Sequence, residues 1–218
     1  MVAKRRVHPL IKVAIAIVLL AGVGLLFVRS VKDTRAEPYI VSASHLRNWA
    51  LAASARASAS QGHAGDDADE AVVSLRPQPE LPMNLFRQLF SRQMESLGAP
   101  SQPGIALVLR REIPSELSAD SILAMARDAG LEGVTPAPRC VGYRRVSDPG
   151  ITRQLYFMWF DVPGFDRFRQ ALASRVGPGF TAGGLSPVLM IAAEPGFTGW
   201  MPVVVDQNRD CIATVTVE

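Results

Sequence analysis

VGYRRVSDPGITRQLYFMWFD, residues 141–161, is the stretch on which the fold class turns. Ser147-Asp148-Pro149-Gly150 is a turn signal, because proline presets one backbone angle and glycine frees another. Val141–Val146 and Arg153–Asp161 flank it with β-branched and aromatic residues, which predicts a β-hairpin. In the second arm, alternation sends Tyr156, Met158 and Phe160 to one face and Phe157 and Trp159 to the other. Covered on both faces, the arm is a central strand; bare on one, it is a binding surface.

Outward from the hairpin, strand-like and helical runs alternate. Ala71–Arg76, Gly104–Arg111, Pro187–Ala193, Met201–Val205 and Cys211–Val217 read as strands. Asn84–Leu97 reads as a helix on the stripe Leu85, Phe86, Leu89, Phe90, Met94 and Leu97. Ser118–Ala129 and Pro163–Val176 read as two more, with Gly130 and Gly177 at their ends. The class is α+β: a single mixed or antiparallel sheet with helices on one face. Phe86-Arg87-Gln88 and Phe168-Arg169-Gln170 sit in two of these helices, and each helix leads to an apolar strand. A duplicated βαβ of this kind predicts a ferredoxin-like sandwich as the finer topology. Gly177–Gly184 follows a helix and leads into a strand, the reverse of a phosphate loop, so it reads as a flexible connection.

The 70 residues before the domain read differently. Residues 1–12 form a basic tail, and Val13–Val28 is an uncharged apolar run. With Leu10 and Ile11 it makes about 28 Å of helix, close to a hydrocarbon core. Residues 13–30 are thus expected to be a transmembrane signal-anchor. Lys4, Arg5, Arg6 and Lys12 precede the run and Arg29, Lys32 and Arg35 follow it, which favours a cytoplasmic N-terminus. Residues 31–70 read as a stalk. Leu46, Trp49, Ala50, Ala53 and Ala57 recur at helical spacing, predicting a spacer helix, and QGHAGDDADE (61–70) reads as a linker. The domain proper is then 71–218.

Charge follows the same division. Residues 1–41 hold seven basic residues against two acids, whereas 71–218 hold fourteen arginines against fourteen acids. The net charge of +3 therefore belongs to the anchor, and nothing in the bulk charge points to a nucleic-acid partner. His8, His45 and His63, with Lys4, Lys12 and Lys32, all lie before residue 71. Residues 71–218 therefore cannot build a Ser-His-Asp triad, a Cys-His pair, a histidine zinc site, a Schiff base or a P-loop lysine. No cofactor or metal is expected. Asp206–Asp210 opens like a calcium loop, but Cys211 and Val217 stand where glycine and glutamate belong, so it reads as a polar turn.

Two sets of residues remain as candidates. Cys140 and Cys211 are the only cysteines, an even pair that reads as a disulfide in an oxidising compartment. Arg139, Arg144, Arg145 and Arg153 cluster around the hairpin with only Asp148 against them. They are candidates for binding an anion or partner, set against a reading as a charge-protected edge. Arg145 shares a side with Tyr143 and Val141, and Arg144 points the other way. The whole chain reads as a single-pass membrane protein of the envelope, held through residues 13–28, with its domain outside the cytoplasm (periplasmic if bacterial). The expected role is non-enzymatic binding or assembly with an envelope protein partner. The alternative is a carboxylate-based enzyme or ligand-binding domain acting on an envelope substrate such as a cell-wall glycan, which needs two acids in one cleft.

Overall fold

The computed structural model describes residues 15–26, 37–53, 70–93, 96–100, 103–148, 151–194 and 204–218, with the side chains of 147–148 and 151–153 left aside. The chain divides into two units, Met1–Glu37 and Pro38–Glu218. In the first, residues 15–26 form an apolar helix, α1. At about 1.5 Å per residue it is about 18 Å long. No helix among the described residues is long and apolar enough to cross a membrane. The expected span runs past α1 at both ends, outside the described residues.

The second unit is α+β and carries one mixed sheet of eight strands: β1 (Tyr39–Val41), β2 (Ala50–Ala53), β3 (Ala71–Arg76), β4 (Ile105–Leu109), β5 (Ala137–Asp148), β6 (Ile151–Asp161), β7 (Val188–Ala193) and β8 (Cys211–Val217). Their order is β1-β8-β5-β6-β7-β4-β3-β2, and only β1–β8 is parallel. Helices α2 (Glu80–Gln93), α3 (Ala119–Asp128) and α4 (Phe165–Val176) cover one face. A single turn, α5 (Gln207–Asp210), precedes β8.

The hairpin is present as β5 and β6, paired from Ala137↔Asp161 to Asp148↔Ile151. Tyr156, Met158 and Phe160 meet the helices, while Leu155 and Phe157 pack on the opposite face with Val188 and Val205. The aromatic run is therefore a central strand. Gly142 faces Phe157, and a Cβ there would lie 2.4 Å from its ring. Only a glycine lets that ring close over the neighbouring strand.

The spacer helix is corrected. Ala43–Leu46 is a short 3-10 turn, Asn48 is left-handed at φ 56°, and Ala50–Ala53 is a strand. The folded unit thus starts at Pro38, and it includes His45. Trp49 is 0% exposed and meets Phe160 edge-on at 5.2 Å. Burying so large an indole outweighs the modest helix preference of the alanines around it. The sheet curls to make this burial. A flat eight-stranded sheet would set its edges about 34 Å apart. The nine steps from Val41 to Ala50, one 3-10 turn among them, reach about 25 Å.

The ferredoxin-like topology is corrected too. A split βαβ needs parallel strands with another strand between them. Here the strands flanking α2 are antiparallel neighbours, as are those flanking α4. A repeated plan does exist at the level of elements. β2-β3-α2-β4 and β5-β6-α4-β7 run in the same order, and the two sets meet where β4 pairs β7 at Ile105↔Leu189. The Phe-Arg-Gln match does not mark it, because Arg87 is exposed whereas Arg169 is buried.

The strand expected at Met201–Val205 lies mostly outside the described residues, and Val204 and Val205 are not in a strand. The helix expected at Asn84–Leu97 begins earlier, at Glu80, with Pro82 in its first turn, where its missing N–H costs nothing.

Candidate functional site

Cys140 and Cys211 are bonded, with their Cα atoms 5.8 Å apart, tying β5 to β8. Beside this link, α5 is capped by Asp206, whose carboxylate accepts from Asn208 N at 2.9 Å and Arg209 N at 3.2 Å. The turn swings Asp210 inward, with its side chain 3% exposed. Its carboxylate accepts from Arg209 at 2.8 Å, from the Asp206 N–H at 2.9 Å and from Arg144 at 2.6 Å. Arg209 above all, then the Asp206 amide and Arg144, holds the Asp210 carboxyl well below the ordinary carboxylate range. The acids of this turn thus lock β8 against β5.

Of the four hairpin arginines, the side chains of Arg139, Arg144 and Arg145 are described, and each meets a different partner. Arg144 is spent on Asp210 and the Val204 carbonyl. Arg145 lies on the Tyr143 side and donates to its hydroxyl at 2.7 Å. Arg139 pairs with Asp161 at 3.3 Å and covers the Trp159 ring at 4.7 Å. The Arg153 side chain lies outside the described residues.

The deepest charge is Arg169, 1% exposed. Its Nε donates to the Ala182 carbonyl, Nη1 to the Leu107 carbonyl and Glu112, and Nη2 to Glu112 at 2.7 Å and the Thr181 carbonyl. All five guanidinium N–H groups are used. Phe180 lies under the plane at 4.3 Å. The glycine-rich stretch 177–184, expected as a flexible connection, instead wraps this cation. Its Thr181 and Ala182 carbonyls join the Leu107 carbonyl and Glu112 as the acceptors that make burial affordable.

The remaining feature is on α2. Leu81, Leu85 and Leu89 are buried at 0–1% exposure, yet Met83 and Phe90 are 50% and 53% exposed. Phe86 stacks on Phe90 with centroids 6.0 Å apart. A groove of about 310 Å³ opens beside them, lined by Pro79, Met83, Phe86, Arg87 and Pro100 among others. Its described lining is mostly apolar, and its charged member is Arg87, which has no hydrogen bond or ion pair among the described residues. The sequence pattern held a signal for this surface. Leu85, Phe86, Leu89 and Phe90 together are too wide for one buried face, and Met83 extends the excess. No family model, no curated protein and no solved structure matches the chain.

Proposed function

We propose that the chain is a single-pass membrane protein whose second unit works outside the cytoplasm as a non-enzymatic binding or assembly module of the envelope. The observation that carries the binding part is the outward apolar face of α2 with its groove. Exposed contiguous apolar surface on a folded domain marks contacts. Among the described residues no carboxylate lines the groove, whereas Glu112 and Asp210 are each engaged by arginine. The Cys140–Cys211 bond supports the compartment, since such links persist where conditions are oxidising. A reporter that matures only after export, fused after Glu218, should be active. Activity from a reporter that works only in the cytoplasm would overturn the placement.

A further inference from the structure

We infer that the outward face of α2 is a membrane-docking surface: Met83, Phe86 and Phe90 enter the interface of the bilayer that holds the anchor, and Arg87 meets its anionic headgroups. This rests on the anchor reading above.

Three observations select a lipid surface as the occupant. The first is size. Two half-exposed large side chains and a half-buried phenylalanine offer a few hundred Å² of apolar area. A stable protein interface needs about 800 Å² on each side. Shallow insertion of an amphipathic helix needs no more than a few apolar side chains.

The second is the point where the chain enters the domain. Pro38 is the first residue of the folded unit, and its carbonyl accepts from Arg92 of α2 at 3.0 Å. Arg92 also lies 4.1 Å from the centre of the Tyr39 ring, and Gln88 binds both the N–H and the carbonyl of Ile40. The tether is therefore fastened to the same helix that carries the apolar face. The apolar run of the anchor ends at Val28. Ten steps of chain to Pro38 reach about 35 Å at most, less than the roughly 40 Å width of a domain this size. Tethering at that range makes the effective concentration of the surface millimolar or higher, so a weak contact suffices.

The third is charge. Arg87 is exposed at the rim of the groove and has no partner among the described residues. A cation beside bulky apolar side chains matches an anionic headgroup above acyl chains.

The test uses the full chain reconstituted in vesicles containing phosphatidylglycerol. A photoreactive benzophenone side chain replaces Phe90 in one sample and Thr214, exposed on β8, in another. Illumination should give a lipid adduct several-fold stronger at position 90 than at 214. Equal yields, no adduct at 90, or only a protein–protein adduct there would overturn the docking surface. Resistance to alkaline extraction reads the anchor separately. A chain that resists extraction without a lipid adduct at 90 sinks the docking alone. An extractable chain that keeps the adduct sinks the anchor and leaves the docking standing.

Discussion

α2 and α4 occupy equivalent places in the two ββαβ sets, and they spend their side chains in opposite ways. α4 turns Phe165, Phe168 and Leu172 to the sheet and hides a cation, Arg169, among them. α2 turns Leu81, Leu85 and Leu89 to the sheet and leaves Met83 and Phe90 outside. One helix places a charge where apolar groups belong, and the other places apolar groups where charge belongs. The first oddity is satisfied within the molecule, since every N–H of Arg169 has an acceptor. The second is satisfied by nothing among the described residues. An inconsistency compensated inside a fold is structural, and one left open points outward.

The largest effect should come from breaking the compensation. Glu112→Ala leaves the Arg169 cation buried with carbonyls alone, and unpairing a buried charge costs about 3–5 kcal/mol. Denaturant unfolding should show a loss of that size. The double variant Arg169→Met/Glu112→Leu should recover part of it, because no charge is then stranded and only the carbonyls of Leu107, Thr181 and Ala182 and the Leu109 N–H lose partners. A single Glu112→Ala variant as stable as the parent would mean that the pair contributes nothing.

The disulfide comes next. Closing a loop of 71 residues stabilises by about 4 kcal/mol in the chain-entropy view, as an upper figure. Cys140→Ser/Cys211→Ser should lower the unfolding midpoint accordingly, while Phe90→Gln on α2 should move it by less than about 0.5 kcal/mol. If the α2 substitution destabilised as much as loss of the disulfide, its outer face would be part of the core.

How much of this was readable beforehand follows from the range of the forces. The hairpin was legible because its turn chemistry and alternation are local. β1 and β2 were not, since three- and four-residue strands take their pairing from partners far along the chain. Arg169 was opaque for the same reason: Glu112 lies 57 positions away. Among the candidate site residues, the cysteine pair followed from number and compartment. The engagement of Arg144 was not legible, because Asp210, which captures it, is 66 positions distant. The outer face of α2 was visible as an over-wide stripe and was folded into one helix face.

Acid should weaken the β5–β8 junction in a defined sense. The Asp210 carboxyl is held below its unfolded value of about 3.9, so its contribution is complete above about pH 5 and fades as pH falls through the acid range. Melting temperature measured from pH 7 down to pH 2 should fall less steeply in Asp210→Asn than in the parent. Parallel profiles would mean that other carboxylates govern the acid limb. α2 holds no buried acid paired with arginine among the described residues, so substitutions at Met83, Arg87 and Phe90 should leave the profile unchanged.

The smallest effect sharpens the comparison most. Arg87→Gln touches no bond among the described residues, so its melting temperature should match the parent. At an anionic surface each basic side chain is worth about 1 kcal/mol, and that attraction falls off within a screening length of about 8 Å at physiological salt. The yield of lipid adduct from a benzophenone at position 90 should therefore fall roughly fivefold in Arg87→Gln at low salt. Raising the salt should lower the parent toward the variant, because screening removes the same term that the substitution removes. Phe90→Gln should behave differently, losing vesicle contact at every salt concentration, since apolar insertion is not screened. If Arg87→Gln instead lowered the melting temperature, the arginine would be serving the fold as Arg169 does, and the contrast between the two helices would vanish.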